Sequence, residues 1–292
     1  NSIPAALGKI ARAREAQRLN GVIVPSEYLK RMVIGWGVKP ENVQVIYNAM
    51  PPHSISVLPS RDEARRQVGF ADEPTLVTVG RILPWKGVDH LITAVSRIPK
   101  VRLVVAGDGD LLPALKAQAE ALRVADRVTF LGKVPRARVD LLMRAADYTA
   151  LYSGYEGLSH TLLESLRAGT PCIASAKGGN PEVIRDGDNG LLVPYVNVDA
   201  LTEAIRAAVA PGMRDRLTVN THFGMERFTF ERMVEATDAA LKAFLTNRVG
   251  DIGLLCGVII LYFAAGRTFD TITINTMANA GEIRHFLLLV AS

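Results

Sequence analysis

Continuously apolar stretches and stretches with a helical period alternate through the middle of the chain. Six short stretches are mostly apolar, rich in β-branched residues and without an alternating polar pattern, which is typical of strands that are buried on both faces. They comprise residues 75–80, 101–107, 127–132, 147–153, 171–176 and 190–193. Amphipathic stretches such as GVDHLITAVSRI and RARVDLLMRAA separate them. We therefore predict an α/β fold with a doubly wound parallel sheet of about six strands.

Residues 1–50 have a mixed pattern. They predict a basic helix, a strand, a second helix and another strand, which cover about Ala5–Leu19, Gly21–Val24, Glu27–Trp36 and Val43–Ile46. The segment that follows, NAMPPHSISVLPS, is rich in proline and has no period, which indicates a linker. We therefore expect residues 1–50 to form a region of their own beside the sheet-forming residues 51–241.

Composition and charge argue against several classes of function. The chain has 292 residues, of which 49% are apolar and 22% charged, as in ordinary soluble α/β proteins. The net charge is +5, and residues 1–50 hold seven Lys or Arg against three acids, yet no stripe is dense enough to indicate nucleic-acid binding. This basic patch could contact an anionic membrane, although a solvated helix face is the simpler interpretation. Cys172 and Cys256 lie in apolar runs, which indicates reduced core thiols and a cytosolic protein.

The loops that follow the strands hold the candidate chemistry, because ligands of such sheets bind at the carboxyl ends of strands, beside helix N-termini. After the first strand, GRILPWKG places Arg81 and Lys86 just before a helix, with Gly80 allowing the backbone to approach a ligand. Two cations in this position suit a diphosphate, although surface cations in a loop would give the same pattern. After the third strand, Gly132 and Lys133 precede another helix.

The second loop, GDGDLL, admits several interpretations. Gly107-Asp108-Gly109 matches the start of the dinucleotide motif G-x-G-x-x-G, but Leu112 stands where the third glycine is needed. Asp108 and Asp110 could instead hold a metal. A turn followed by an acidic helix start explains the pattern most simply, so we predict no metal site here.

The stretch YEGLSHTLLE places two carboxylates after the fourth strand. Gly157 breaks any helix through Glu156, so we expect Glu156 in the loop and Glu164 about one turn into a helix over Ser159–Ala168. Such a pair could be the acid and base of a glycosidase, but that class does not need the loop of cations. Carboxylates also accept hydrogen bonds from sugar and ribose hydroxyls. Cations for phosphate and carboxylates for hydroxyls together favour a nucleotide sugar as the ligand, and the glycine-rich KGGNPEVIRDGDNG after the fifth strand can add main-chain N–H donors.

Five segments, in order, resemble one family: VTVGRILPWKG, LVVAGDGDL, VTFLGKVP, YEGLSHTLLESLRAGTPCIAS and KGGNPEVIRDGDNGLLV. Residues 75–210 resemble the nucleotide-binding half of retaining GT-B glycosyltransferases of the family 4 type, in which Glu156 and Glu164 form the E-x7-E motif. The resemblance implies two Rossmann-like domains facing across a cleft. It implies transfer of a hexosyl group, with retention, from a UDP-, GDP- or ADP-sugar to a glycan, lipid or small-molecule acceptor, with no cofactor and no metal.

The resemblance also implies roles for residues. Arg81 and Lys86 would bind the diphosphate and stabilise the leaving group, because positive charge would lie where negative charge develops. Glu156 would contact the hydroxyls of the donor sugar, and Glu164 those of the ribose. The main-chain N–H groups of Gly157, Leu158 and Ser159 would reach the sugar or the phosphate, and the loop of Gly132, Lys133 and Val134 would lie against the base. Gly80 and Leu162 are also expected to bind the donor. His160 is expected near the pocket, with packing or donor contact as its role rather than catalysis.

The chain departs from the family pattern in three ways, of which the third affects the expected activity. Asn48-Ala49-Met50 replaces the usual asparagine, glycine and acid, and Asp110 stands where proline is common. The family's N-terminal acceptor domain is represented only by residues 1–50, so we expect an incomplete copy that binds the donor and transfers sugar poorly. A non-catalytic nucleotide-sugar-binding fragment is therefore one alternative, and an NAD-dependent Rossmann oxidoreductase is another, against which the incomplete glycine motif counts.

The tail, residues 242–292, differs from the rest of the chain. Residues 252–266 carry no charge, but they fall short of the roughly 20 residues that a membrane-spanning helix needs. Residues 242–272 resemble a segment of the antiporter-like large membrane subunit of respiratory complex I. A foreign segment joined to the transferase explains this most simply, and an apolar anchor or a membrane subunit is the alternative. We expect a cytoplasmic protein. The alternative is peripheral attachment to the inner face of the membrane through the basic helix or the tail.

Overall fold

The computed structural model describes residues 3–19, 21–50 and 57–243. The chain forms two compact units, Asn1–Met233 and Val234–Ser292. Of the second unit the structure describes residues 234–243, which are helical. The apolar segment 252–266 and Cys256 lie outside the described residues, so the expectations for them stay predictions.

The described residues form eight strands, all in the first unit. They are β1 (Val22–Val24), β2 (Val43–Val45), β3 (Thr75–Val79), β4 (Arg102–Ala106), β5 (Val128–Gly132), β6 (Tyr148–Leu151), β7 (Cys172–Ser175) and β8 (Gly190–Val193). Strands β1 and β2 pair in a small parallel sheet. The other six form one parallel sheet in the order β5-β4-β3-β6-β7-β8. This confirms the predicted α/β fold and its six-stranded parallel sheet, and each strand lies within the stretch that predicted it.

Ten α-helices lie wholly within the described part of the first unit. They are α1 (Ile3–Arg18), α2 (Glu27–Ile34), α3 (Arg61–Val68), α4 (Val88–Ser96), α5 (Leu112–Ala121), α6 (Arg136–Ala145), α7 (His160–Arg167), α8 (Asn180–Val183), α9 (Val198–Ala208) and α10 (Met213–Thr218). Short 3₁₀ helices cover Pro40–Asn42, Pro84–Lys86 and Met225–Phe228. None of the helices in the described ranges has the length and apolar character needed to cross a membrane.

Helices cover both faces of the large sheet, which explains why its strands are mostly apolar. Adjacent residues of β3 show this arrangement, since Leu76 and Val77 point to opposite faces and are both fully buried. Leu76 packs in a core cluster with residues of α4, α5 and α9. Val77 packs on the other side, with Leu142 of α6. A strand that is buried on both faces needs no alternating polar pattern.

Helices α2 and α3 are among those that differ from the sequence prediction. Helix α2 was expected to reach Trp36, but it ends at Ile34 because Gly35 and Gly37 close a turn there, with Gly37 at φ 91°. Helix α3 was not predicted at all, because it is mostly charged. Its ends carry local signals: the Oγ of Ser60 accepts a hydrogen bond from the N–H of Glu63 (3.2 Å), and Gly69 closes the helix at φ 75°.

Candidate functional site

The candidate site lies at the carboxyl edge of the large sheet, at the point where the order of the strands reverses. From β3 the chain moves outward through β4 to β5, and then returns to place β6 on the other side of β3. The loops that leave β3 and β6 therefore diverge and leave a crevice between them. In open parallel sheets this reversal point is where ligands bind. The two predicted motifs, GRILPWKG and YEGLSHTLLE, are the loops on either side of it.

An ion pair joins the two loops across this crevice. The Nζ of Lys86 lies 2.7 Å from Oε1 of Glu156, and both side chains are mostly buried. The N–H of Gly154 also donates to the carbonyl of Trp85 at 2.7 Å, so the main chains touch beside the ion pair. The sequence indicated a diphosphate for Lys86 and a sugar for Glu156, and it did not indicate that the two side chains contact each other. In this structure each is the counter-ion of the other.

Arg81 is the second cation of the predicted phosphate loop, and it is exposed. Among the described residues it has no ion-pair partner. Together with Gly80, Lys86 and Leu151 it lines one small pocket at the end of β3. The guanidinium is therefore available to a ligand that enters the crevice beside Lys86.

The GDG turn supports this loop from the side. The N–H of Ile82 donates to the carbonyl of Asp108 at 2.9 Å. A Cβ at Gly107 would overlap the carbonyl oxygen of Gly80, so only glycine permits this contact. Asp108 accepts a hydrogen bond from the N–H of Gly109 at 2.8 Å, as expected of a turn. No cluster of three or more His, Cys, Asp or Glu side chains within the described residues is arranged to hold a metal ion.

The loop after β7 lies directly against the loop that carries Glu156. The N–H of Gly179 donates to the carbonyl of Glu156 at 2.9 Å. Gly178 adopts φ 63°, and a Cβ there would overlap that same carbonyl oxygen. The predicted glycine-rich segment after the fifth strand thus adjoins the first carboxylate of the motif.

The N-terminus of α7 carries most of the predicted main-chain donors. Ser159 is the N-cap, and its Oγ accepts from the N–H of Leu162 at 3.3 Å. No described residue accepts a hydrogen bond from the N–H of Gly157, Leu158 or Ser159. Three such donors at a helix N-terminus form an anion-binding surface. His160 is the first residue of the helix, and its buried Nδ1 has no hydrogen-bond partner in the described part of the chain.

Two residues expected to bind the donor have their side chains in the core. Leu158 and Leu162 are buried, at 8% and 0% exposure, in the cluster beneath α7. The N–H of Leu162 is occupied by the Ser159 cap. Leu162 therefore supports the helix N-terminus from below, and a contact between its side chain and a ligand would need the core to open.

Glu164 lies in α7, as predicted, but it has a partner that the sequence did not indicate. Its carboxylate is 6% exposed, and Oε1 lies 2.6 Å from Nη2 of Arg136. Arg136 begins α6, just after the loop of Gly132, Lys133 and Val134 that was expected to lie against the base. The only signal in the sequence was a basic residue after VP at a helix start.

The three residues of that loop differ in exposure. Gly132 ends β5 in the left-handed region at φ 64°, and Lys133 is exposed. Val134 is partly buried against α6. Their expected contact with a base stays a prediction.

Residues 21–50 also reach the site, through contacts that the sequence pattern did not predict. The rings of Tyr28 and Tyr155 meet edge to face with centroids 6.2 Å apart, next to Glu156. Burial, then Tyr28 and Glu156, raise the pKa of Tyr155. Leu29 packs against Gly157, where a Cβ would come within 3.0 Å of its Cδ1. Residues 21–50 thus form one wall of the site beside Glu156.

Two family models match the chain. The model described as Glycosyl transferases group 1 matches residues 60–221, which is more than half of the chain. The model described as NADH:quinone oxidoreductase/Mrp antiporter, TM, matches residues 227–292. The second match includes the tail segment 242–272 that resembles a complex I subunit, and it begins earlier in the chain.

Curated relatives are about one-third identical to the chain. A D-inositol 3-phosphate glycosyltransferase of Actinosynnema mirum is 34% identical over 235 residues, which cover 72% of this chain and 56% of that protein. An uncharacterised glycosyltransferase of Methanocaldococcus jannaschii is 31% identical over 226 residues, which cover 74% and 58%. The chain thus spans about half the length of the curated relatives it matches.

Solved structures share the fold. Sucrose-phosphate synthase from Thermosynechococcus elongatus superposes with a TM-score of 0.73 at 24% identity, covering 82% of this chain and 62% of that one. Anabaena HepE in complex with UDP-glucose superposes with a TM-score of 0.67 at 24% identity, covering 81% and 68%. At these identities the likeness concerns the fold alone.

Proposed function

The chain belongs to the glycosyl transferases of group 1, and on this premise we propose that it binds a nucleotide sugar in the crevice between β3 and β6. The proposed reaction transfers a hexosyl group, with retention, to an acceptor hydroxyl. The bond from the anomeric carbon to the diphosphate breaks, a bond to the acceptor oxygen forms, and the hydroxyl proton leaves with the nucleoside diphosphate. The ion pair of Lys86 and Glu156 is the observation that carries the proposal, because it brings together the cation proposed to bind phosphate and the carboxylate proposed to bind the sugar.

The diphosphate would lie beside Arg81 and Lys86. Its charge grows when the bond to the sugar breaks, and two cations together with the N–H groups at the start of α7 would stabilise that charge. Lys86 would then exchange part of its contact with Glu156 for a contact with phosphate. Since the cations come from the protein, no metal is part of the proposal.

The carboxylates would hold the two sugars of the donor. Glu156 would accept hydrogen bonds from the transferred sugar, and Glu164 from the ribose, since ionised carboxylates are acceptors with several lone pairs. Retention at the anomeric carbon rests on the resemblance of Glu156 and Glu164 to the E-x7-E motif. The base and the sugar stay open among UDP-, GDP- and ADP-sugars. Relatives and neighbours carry more than one donor in their names, GDP-mannose in a mannosyltransferase of Mycolicibacterium smegmatis and UDP-glucose in HepE.

The first experiment is a thermal-shift titration of the full chain with UDP, GDP, ADP and NADH. A ligand that binds only the folded state raises the unfolding midpoint by mass action. We expect a shift with one nucleoside diphosphate, and its loss in Glu164→Ala and Arg81→Ala. Lys116→Ala and Glu120→Ala remove exposed charges from α5 and serve as matched controls. A shift with NADH alone would instead support a dinucleotide-dependent oxidoreductase.

Transfer is tested separately from binding. The full chain is incubated with the corresponding nucleotide sugar and with glycan, lipid and inositol phosphate acceptors, and release of the nucleoside diphosphate is measured. Release that depends on an acceptor supports the transferase. Binding without release, in every acceptor series, supports the alternative of a nucleotide-sugar-binding protein.

We infer that the tail takes no part in donor binding, since residues 242–292 lie beyond the segment matched by the transferase model. A chain that ends at Phe244 should therefore show the same nucleotide-induced shift as the full chain. A shift lost on truncation would give the tail a role in the fold or in the site.

A further inference from the structure

Arg136 connects α6 to the second carboxylate of the E-x7-E motif. Its Nη2 lies 2.6 Å from Oε1 of Glu164, which belongs to the next helix, α7. The two side chains differ in environment, because the carboxylate is 6% exposed whereas the arginine is 42% exposed. One end of this ion pair is therefore in the protein and the other is at the surface, beside the loop of Lys133 and Val134.

Further charges surround this pair between α6 and α7. Asp140, one helical turn after Arg136, is 2% exposed, and its Oδ1 lies 3.8 Å from the Nε of Arg136. Arg167 lies three positions after Glu164 in α7. Burial lowers the pKa of the Arg167 guanidinium, while the charges of Asp140 and Glu164 act in the opposite direction. Two acids thus face two arginines at this helix interface.

The ion pair explains how Glu164 can be a buried acceptor. A carboxylate removed from water is costly unless a cation or several hydrogen-bond donors compensate it. Arg136 supplies that compensation and occupies only part of the acceptor capacity of the carboxylate, which has about four lone-pair positions. The contact also orients the carboxylate, since Nη2 of Arg136 holds its Oε1.

We propose that Arg136 is a positioning residue of the donor site, which holds the carboxylate of Glu164 in the orientation that accepts the ribose hydroxyls. This inference rests on the proposed function, because it needs a nucleotide whose ribose meets Glu164. Arg136 acts through Glu164 and is not itself required to touch the ribose. Its effect on affinity should therefore depend on whether the ribose hydroxyls are present.

The test measures this dependence by calorimetric titration of the full chain. The ligands are the nucleoside diphosphate that binds the wild type and its 2′,3′-dideoxy analogue, and the variants are Arg136→Ala, Arg136→Lys and Glu164→Ala. We expect Arg136→Ala to weaken the ribonucleotide about tenfold, the effect of losing a hydrogen bond to a charged group. The affinity of Arg136→Ala for the dideoxy analogue should fall less than about twofold, because this analogue has no ribose hydroxyls to bind Glu164.

Conservative and control variants separate positioning from folding. Arg136→Lys keeps the charge and should recover most of the affinity. Arg138→Ala removes an exposed cation of the same helix and should leave both ligands unaffected. Unfolding midpoints without ligand show whether any variant is simply less folded.

The outcomes distinguish this inference from the function on which it rests. If the wild type binds no nucleoside diphosphate, the proposed function fails and the inference falls with it. If Glu164→Ala abolishes binding and Arg136→Ala does not change it, the function stands and the inference is overturned. Equal weakening of both nucleotides by Arg136→Ala also overturns it, since the arginine would then act elsewhere on the ligand or on the fold. Tighter binding in Arg136→Ala would identify the arginine as a competitor of the ribose and overturn it as well.

Discussion

Lys86 and Glu156 are 70 positions apart in the sequence, and their charged groups are 2.7 Å apart in the structure. They meet because β6 is placed beside β3, so the loops after these two strands face each other. Neither residue is deeply buried, with side-chain exposures of 21% and 15%. The contact is therefore strong enough to order both side chains and accessible enough for a ligand to rearrange it.

Lys86→Ala is expected to weaken nucleoside diphosphate binding by tenfold or more, because it removes a charge-assisted contact to phosphate and leaves Glu156 without its counter-ion. Calorimetric titration measures the loss, and Lys116→Ala is the matched control. Combining Lys86→Ala with Glu156→Gln removes the unpaired charge. The double variant should therefore lose less binding free energy than the sum of the losses in the two single variants. Strict additivity would show that the ion pair is not coupled to the ligand.

Glu182→Ala is expected to destabilise the first unit by about 1–2 kcal/mol, because the carboxylate caps a helix from a distant part of the chain. Glu182 in α8 accepts hydrogen bonds from the N–H groups of Glu27 (2.8 Å) and Tyr28 (2.7 Å), the first two residues of α2. It also accepts from the hydroxyl of Tyr47 at 3.1 Å. Denaturant unfolding measures the change.

Glu182→Gln keeps the size of the side chain and one acceptor oxygen, so it should cost less than Glu182→Ala. Glu120→Ala, an exposed acid of α5, should leave stability unchanged. An unchanged midpoint in Glu182→Ala would mean that the N-terminus of α2 finds equivalent hydrogen bonds in water.

Gly178→Ala is expected to weaken both stability and nucleotide binding. The residue adopts φ 63°, and its Cβ would overlap the carbonyl oxygen of Glu156, so the Glu156 loop has to move. Gly187→Ala is the matched control, since Gly187 adopts φ 72° with open space around it. Both variants carry the backbone strain of about 1 kcal/mol, and only Gly178→Ala should lose affinity for the nucleotide. Equal effects on binding would show that the contact between the loops does not matter.

Cys172 is expected to make the protein less stable as pH rises above about 9. Burial raises the pKa of its thiol to about 12, while the unfolded chain titrates near the ordinary value of 9.0. The unfolded state therefore releases its proton first, and stability is lost between these two values as pH rises. Denaturant unfolding at pH 8.5 and pH 10 measures the loss, which Cys172→Ala should reduce.

The same burial predicts low reactivity of Cys172. In a Cys256→Ser background, a thiol reagent should label the native chain no faster than the chain unfolds, because a fully buried neutral thiol is a poor nucleophile. Rapid labelling at pH 8 would show that the cluster beneath α7 opens in the native state.

The strands could be predicted closely because burial on both faces leaves a continuous apolar run. The expected stretch 171–176 contains β7 (Cys172–Ser175), and 75–80 contains β3 (Thr75–Val79). Helix α3 was not predicted because most of its residues are charged. Its ends are marked by the cap at Ser60 and by the left-handed Gly69. A search for an apolar helical period does not detect helix propensity or capping residues, and these are the local signals that α3 carries.

The loops that form the site were predicted, and the side-chain partners were not foreseen. Glu156 could be assigned to a loop and Glu164 to a helix, because Gly157 separates them. The pairs Lys86–Glu156 and Arg136–Glu164 depend on which strand lies beside which, and hydrophobic pattern does not contain strand order. A buried carboxylate such as Glu164 needs a cation, but its burial is known only from the structure, so the basic residue after VP at a helix start was the one signal for Arg136.

The contacts between neighbouring loops bear on how donor preference can be altered by protein engineering. Gly107 meets the carbonyl of Gly80, and Gly178 meets that of Glu156, each without room for a methyl group. Each loop is therefore shaped by the backbone of another, so a single loop grafted from a relative would clash or leave a gap. Chimeras that exchange the β3 and β4 loops together, and the β6 and β7 loops together, preserve both contacts. Recombination libraries built on such pairs should yield more folded variants than libraries that shuffle the loops one at a time.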